Sequence, residues 1–188
     1  MANNVSTKII TGPNVRFSYL NVFEPKAMAE GLAPKYSASL IISKNDKKTI
    51  DAIKKGISAV YEKEAAKLQG ASKSVPPLSV IKTPLRDGDT ERPGDPAYKN
   101  CYFINANSNL KPGIVDENRD PILDRSEFYS GCYGRASITL FAYNVNGNKG
   151  IGASLNHLQK FSDGEPLGGR TSAAIDFATD PDDEDFLN

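Results

Sequence analysis

Long hydrophobic runs are missing from this chain: no more than four apolar residues follow one another, as at Leu140 to Tyr143, whereas a bilayer-crossing helix needs about 20. A helical membrane protein is therefore excluded. Cysteine and histidine are almost absent too. Cys101, Cys132 and His157 cannot supply the four ligands of a structural zinc site, nor a disulfide framework. The two thiols read as small apolar side chains of a reducing compartment. His157 has no Ser, Cys or Asp at a recognisable spacing and reads as a polar or packing residue. Met1 to Lys8 lacks the basic start and apolar stretch of a secretory signal, so the expected location is the cytoplasm.

What is present is an ordinary globular composition, with 188 residues, 39% hydrophobic and 24% charged, enough for one well-buried domain. The charge is unevenly placed. Of the 23 carboxylates, six (Asp176, Asp180, Asp182, Asp183, Glu184 and Asp185) lie after residue 175 with no base among them. Residues 1–175 therefore carry 23 cationic and 17 acidic residues, a net charge of +6. A basic body with an acidic tail is a signature of proteins that handle polyanions. Residues 129–162 hold Arg135, Lys149 and Lys160 and no carboxylate at all.

Strands are expected at Val15 to Phe23, Lys35 to Ser43, Cys101 to Ala106, Tyr129 to Val145 and Lys149 to Phe161, the last two joined by a tight turn at Asn146-Gly147. Between them, Asp46 to Gln69 repeats apolar residues at the helical period through Ile50, Ile53, Ile57, Val60, Tyr61 and Leu68, with Asn45 as its cap and Gly70 as its stop. Gly70 to Lys99 and 107–128 are rich in proline and turn residues. The expected fold is mainly β: an OB-fold, a five-stranded Greek-key barrel, with an inserted amphipathic helix, long loops and a disordered acidic tail. The domain is assigned to 1–175 and the tail to 176–188.

The segment Cys132 to Tyr143 separates cleanly by parity. Even positions are Cys132, Gly134, Ala136, Ile138, Leu140 and Ala142, all small or apolar; odd positions are Tyr133, Arg135, Ser137, Thr139, Phe141 and Tyr143. One face is core. The other carries three rings, two hydroxyls and a guanidinium, the mixture that single-stranded nucleic acid requires. Unpaired bases stack on rings at roughly 1–3 kcal/mol each while cations neutralise phosphate. Tyr133, Phe141 and Tyr143 are thus expected to stack bases, with Arg135, Lys149 and Lys160 on phosphates. Phe161, Lys35, Tyr36, Tyr102, Arg86 and Lys111 are weaker candidates from neighbouring strands and loops.

The run Glu127 to Ala136, continued through Ser137 to Tyr143 and Lys149 to Leu155, resembles a family of tailed-phage single-stranded-DNA-binding proteins. Lys35 to Ala38 and Asn105 to Ser108 extend the similarity, which runs from about Val5 to Phe177. The resemblance implies an OB-fold with an inserted helix, sequence-independent binding of single strands, and a role in phage DNA replication, recombination or repair. Phage origin would place the protein in the host cytoplasm. The acidic end, Asp182, Asp183, Glu184, Asp185 and Phe186, is similar in kind to tails through which such proteins contact phage or host replication and recombination enzymes, although Leu187 and Asn188 follow the aromatic residue. The tail is expected to compete with DNA for the body.

Two other classes stand beside this reading. Asp116, Glu117, Asp120 and Asp124 cluster within nine residues, and carboxylates can hold magnesium for a nuclease centred on Asp116 and Asp120. No glycine-rich or basic phosphate cradle accompanies them. An exposed ring-bearing barrel face also suits RNA or a protein partner. The expectation remains a protein that is not an enzyme and needs no cofactor or metal.

Overall fold

The structure, a computed structural model, describes residues 7–168. Its strands are β1 (Lys8–Ile10), β2 (Val15–Lys26), β3 (Lys35–Ser43), β4 (Arg86–Asp87), β5 (Cys101–Ser108), β6 (Gly113–Val115), β7 (Tyr133–Val145) and β8 (Asn148–Ser162). Strands β7, β2, β3, β5 and β8 pair in that order, and β8 pairs with β7 again, so the five close a ring. Numbered along the chain, the ring runs one-two-three-five-four-one, with strands three and five parallel. This is the Greek-key arrangement of an OB barrel.

Side-chain alternation places the core. Ala38, Leu40 and Ile42 of β3, Ile104 and Ala106 of β5, and Ile138 and Leu140 of β7 join Val15 and Phe17 in one buried cluster. Ile41, which interrupts the alternation of β3 in the sequence, faces the other way. It packs with Tyr98 and Phe103 in a second, smaller cluster on the outside of the barrel. Segment 88–98, expected to be featureless loop, folds there as helix α3 (Gly88–Glu91) and a single 3-10 turn at Pro96–Tyr98.

The amphipathic helix covers the barrel as α1 (Lys47–Lys63) and continues as α2 (Ala65–Gln69). Two details differ from expectation. The cap is Asp46, whose side chain accepts the Thr49 N–H at 3.2 Å, rather than Asn45. The helix also breaks at Glu64, whose carboxylate accepts the Ala142 N–H of β7 at 2.6 Å. Gly56 makes the docking close: a methyl group there would lie 2.7 Å from Ile9 Cδ1 and 3.0 Å from Leu140 Cδ1. The apolar stripe Ile50, Ile53, Ile57 and Val60 therefore joins the barrel core. Among the described residues no helix is long and apolar enough to cross a membrane.

The longest pairing is the β7–β8 hairpin, which turns at Asn146 (φ 53°) and Gly147 (φ 82°). Both residues are left-handed, as the type I′ turn favoured by an Asn-Gly pair demands. Two seams are thin by comparison. β2 meets β7 in register only at Val15–Gly134 and Arg16–Tyr133, and β5 meets β8 at Asn107–Ser154. Gly134, which pairs with Val15 across the first seam, is pressed on its other side against β8 where the β7–β8 register shifts, because a methyl group on it would overlap the backbone carbonyl of Gln159. Gly134→Ala should thus cost roughly 2–3 kcal/mol, enough to lower the thermal midpoint by about 4–12 °C. A scanning calorimetry trace unchanged from wild type would contradict it.

Candidate nucleic-acid interface

The alternation read in the sequence is present in β7. Gly134, Ala136, Ile138, Leu140 and Ala142 are buried, Arg135 and Phe141 are exposed, and Tyr133, Ser137, Thr139 and Tyr143 are half-buried on the outer face. That face is not one shelf. Ten residues of extended strand separate Tyr133 from Tyr143, roughly 33 Å, and each part has its own neighbours.

At the Tyr133 end the candidate side chains are occupied by the protein itself. Arg16 lies 5.4 Å from the Tyr133 ring centroid and donates to the Glu165 carbonyl at 2.7 Å. Arg135 donates to Gln159 Oε1 at 2.7 Å and stands 5.6 Å from the centroid of Phe161. Lys160 forms an ion pair with Asp163 at 2.6 Å, donates to the Glu127 carbonyl, and lies over the Tyr129 ring. Burial alone would lower the Lys160 pKa, but the Asp163 hydrogen bond, together with the charge of Asp163 and smaller contributions from Cys132 and Tyr129, outweighs it and holds the ammonium above the ordinary lysine value. Lys160 and the Tyr129 hydroxyl both keep Asp163 below the usual carboxylate range. These contacts anchor 163–167 to the barrel. In the middle of the strand, Asn156 donates to Ser137 Oγ at 3.3 Å and Thr139 Oγ1 at 2.9 Å.

At the other end the surface is open. The Phe141 ring lies over Gly152 of β8, where an added Cβ would be 2.8 Å from Phe141 Cζ, and Phe141 and Tyr143 are neighbours at 6.5 Å between centroids. Here β5 and β8 part. A groove of about 670 Å³ opens between them, lined by Tyr143, Gly152, Asn105, Lys82, Arg86 and Glu91 among others. Segment 82–87 bridges the gap, pairing Lys82 with Gly150 and Arg86 with Phe103. A second pocket of about 270 Å³ lies over β2, β3 and β5, with Tyr19, Lys26, Met28, Ser37, Arg92 and again Asn105 in its walls. Together they run across the face formed by the second and third barrel strands, the face on which OB-folds take oligonucleotides.

Three residues of this surface escaped the sequence reading. Tyr19, 57% exposed, sits at φ 46° where the register of β2 and β3 shifts. A bulky non-glycine residue in the left-handed region is uncommon and gathers at functional sites. Arg92 lies 5.1 Å from the Tyr19 centroid, 4.9 Å from that of Tyr98 and 5.3 Å from that of Phe103. Asn105 is exposed on β5. Only the bulge, invisible as a sequence pattern, brings Tyr19 to this face.

The weaker candidates divide. Arg86 lines the groove, where its Nε pairs with Glu91 at 2.6 Å. Lys35 lies opposite Lys26 at the edge of the second pocket. Tyr36 sits one residue out of phase with Lys35, paired with Ser108. Tyr102 is held between Lys44 and Lys54 on the inward side of β5. Lys149 is spent on the end of α2, donating to the Gln69 carbonyl at 2.9 Å and Ser72 Oγ at 2.7 Å. Lys111 lies with Thr139, Ser154 and Asn156 in a shallow depression further round the barrel.

The acidic cluster is turn chemistry. Asp116 Oδ1 accepts the N–H groups of Asn118 at 2.8 Å and Asp120 at 2.9 Å, and Asp124 does the same for Ser126. His157 Nδ1 accepts the Gly113 N–H at 3.0 Å. Cys132 is buried in the core, which pushes its thiol up. The tail, including Asp182, Asp183, Glu184, Asp185 and Phe186, lies outside the described residues.

A family model described as "Enterobacter phage Enc34, ssDNA-binding protein" matches residues 7–187. Protein p50 of Acyrthosiphon pisum secondary endosymbiont phage 1 is 31% identical over 170 residues, spanning 87% of this chain and 88% of that protein. The single-stranded DNA-binding protein of bacteriophage Enc34 in complex with ssDNA superposes with TM-score 0.70 at 26% identity, over 86% of this chain and 90% of the other. Its C-terminally truncated form gives TM-score 0.71 at 25% identity, over 86% and 88%. The acidic turns thus occur in a chain whose family and structural neighbours are ssDNA-binding proteins, not enzymes.

Segment 86–92, which roofs the groove, is tethered by Lys44, with Nζ 2.9 Å from Asp87 and 2.7 Å from Asp89. The Lys44 hydrogen bond holds both carboxyl groups below their ordinary range. A depressed carboxylate favours the folded state above its unfolded pKa of about 3.9 and loses that contribution as pH falls through the lowered value. The tether should therefore persist at neutral pH and weaken below about pH 4. Lys44→Met should raise both carboxyl titrations toward the ordinary range, leaving the smaller contribution of their backbone hydrogen bonds, and speed amide exchange in 87–92 at neutral pH. Carbon-detected NMR titration and hydrogen exchange check the two outcomes.

Proposed function

Because the chain belongs to the phage ssDNA-binding family represented by the Enc34 protein, whose model it matches over residues 7–187, we propose that it binds single-stranded DNA across the groove between Tyr19 and Tyr143. The observation that carries this reading is the coincidence, on the ligand face of an OB barrel, of Tyr19, Phe141 and Tyr143 with Lys26, Lys82, Arg86 and Arg92. The rings offer stacking to bases of any identity, while the cations meet a backbone that every sequence shares. Binding is accordingly sequence-independent. Duplex DNA keeps its base faces covered and gains nothing from the rings. The Tyr133 end, with Arg135, Lys160 and Phe161, forms an outer extension whose groups must first give up their internal partners.

In this reading the protein protects and organises single strands during phage replication, recombination or repair in the host cytoplasm, and its acidic tail competes with DNA and recruits partner enzymes. The fold supplies a route for that competition. Leu167 packs beside Ile41, Tyr98 and Phe103, and its N–H donates to the Ser130 carbonyl at 2.9 Å, so the chain reaches the outer face of β3 at that point. Asp176, the first acid of the tail, is nine residues further on, a span of up to about 30 Å when extended.

Titration of labelled single-stranded DNA, single-stranded RNA and duplex at one fixed salt concentration tests the reading, with the single-stranded DNA expected to bind most tightly and equal affinity for duplex overturning it. Tyr143→Ala should weaken single-strand binding by about 1–3 kcal/mol with the salt slope intact. Glu91→Gln removes the carboxylate that Arg86 now pairs with; it should raise affinity and steepen the slope of log K against log salt by about 0.7, one phosphate's worth for a single strand. Deleting 176–188 should likewise raise affinity, most at low salt.

A further inference from the structure

We propose that Asn105 holds one base of the bound strand by its edge, and that its carboxamide does so in either of two orientations, so that the contact is made with every base. The inference rests on the single-strand reading above and adds to it how the middle of the groove is occupied. Asn105 is the one residue shared by the walls of both pockets. Along the barrel it lies two strands from Tyr19 on β2, roughly 10 Å away, and two from Phe141 and Tyr143 on β7, on the far side of the opening between β5 and β8. The heights also agree. Asn105 pairs with Ser39, which pairs with Ser18 next to Tyr19. Stepping back two residues along both strands from the parallel contact Asn107–Ser154 brings Asn105 level with Gly152, under the Phe141 ring.

A strand crossing this row meets exposed rings on both sides and none in the centre. The outward neighbours of Asn105 are Ser39, whose hydroxyl is bonded to Tyr98, Asn107, and Phe103, whose ring is buried beneath Arg86 and Arg92. A base lying there has no open ring beneath it. Its edge must be satisfied, and Asn105 is equipped to do so, because its exposed carboxamide hydrogen-bonds to no other described residue. Asn21, across the same pocket, has already committed its amide to Ser37 Oγ at 3.1 Å.

The chemistry makes the contact indifferent to sequence. Each base carries a donor and an acceptor side by side on its pairing edge: amino and ring nitrogen in adenine and cytosine, ring N–H and carbonyl in guanine and thymine. A carboxamide offers the complementary acceptor and donor. Turning it by half a rotation about a two-fold torsion exchanges them. A carboxylate could only accept and a guanidinium only donate, so either would select among bases.

Full-length wild type, Asn105→Asp and Asn105→Leu are compared by fluorescence anisotropy on dC, dT and wholly abasic oligonucleotides of one length. Asn105→Asp should shift the dC-to-dT affinity ratio about tenfold toward dC, because cytosine projects an amino group to a carboxylate while the single N–H of thymine stands between two carbonyls. Asn105→Leu should weaken dC and dT alike and leave the abasic strand unchanged. A dC-to-dT ratio in Asn105→Asp within twofold of wild type, or an equal loss on the abasic strand in Asn105→Leu, overturns the inference. Wild type that prefers no single strand over duplex overturns the underlying reading, and this one with it.

Discussion

The site depends on a single brief contact, the parallel meeting of β5 and β8 at Asn107 and Ser154. It closes the barrel and then lets go. Parallel neighbours must be joined by a crossover, and in this chain the crossover from β5 carries β6, the acidic turns and all of β7 before β8 arrives. Where the two strands diverge, their backbone groups need other partners, because buried unpaired N–H and C=O groups are costly. Segment 82–87 supplies them, with the Lys82 carbonyl accepting the Ile151 N–H at 2.8 Å on one side and Arg86 pairing with Phe103 on the other. The groove is thus the consequence of a sheet that cannot stay flush. The residues at its mouth are those that geometry leaves facing the gap.

That origin separates two kinds of wall. Tyr143, Gly152 and Asn105 stand on long strands, each paired along its length with at least one neighbour above a continuous core, so their positions are fixed by the fold itself. Arg86, Glu91 and Arg92 stand on a short segment held by the Lys44 ion pairs and by stacking of Arg92 over Tyr98 and Phe103. Exposed ion pairs of this type contribute little individually. The segment is therefore the part of the groove most responsive to salt and pH, whereas the ring platform on β7 is the part least responsive.

Much of this was legible in the sequence, and the illegible part has definite causes. Strand β3 and the parity of β7 were readable because a period of two over several residues leaves little else to form. The Asn146-Gly147 turn was readable because its left-handed dihedrals suit those two residues. What parity cannot reveal is whether an outward side chain is already engaged. Tyr133, Arg135 and Lys160 share a face with Tyr143, yet Arg16 lies over the first, Gln159 accepts from the second and Asp163 pairs with the third, and two of these partners come from distant parts of the chain. Tyr19 was missed for a related reason: a bulge reassigns a residue from one face to the other without altering composition. Ile41 looked like a defect in an alternating strand and is instead the seat of the outer cluster on which Tyr98 and Phe103 pack. The cap fell on Asp46 rather than Asn45, a one-residue choice between two good caps that only the helix position decides.

The balance of charge in the groove bears on how tightly single strands are held. Cations line it, but Arg86 has a protein partner in Glu91, and Lys44, behind the groove wall, neutralises Asp87 and Asp89. A phosphate that replaces a carboxylate exchanges one ion pair for another and gains chiefly the entropy of released counterions. Stacking has no such competitor at Phe141 and Tyr143, whose rings rest on glycines of β8. A surface of this kind draws its discrimination between single and paired strands from rings, and its discrimination between occupied and free from acids that must be displaced. In the proposed reading, the acids that line the groove and those of the C-terminal segment would act on the same term. A protein with formal charge zero could then serve a polyanion, its net charge measuring the competitor as much as the site.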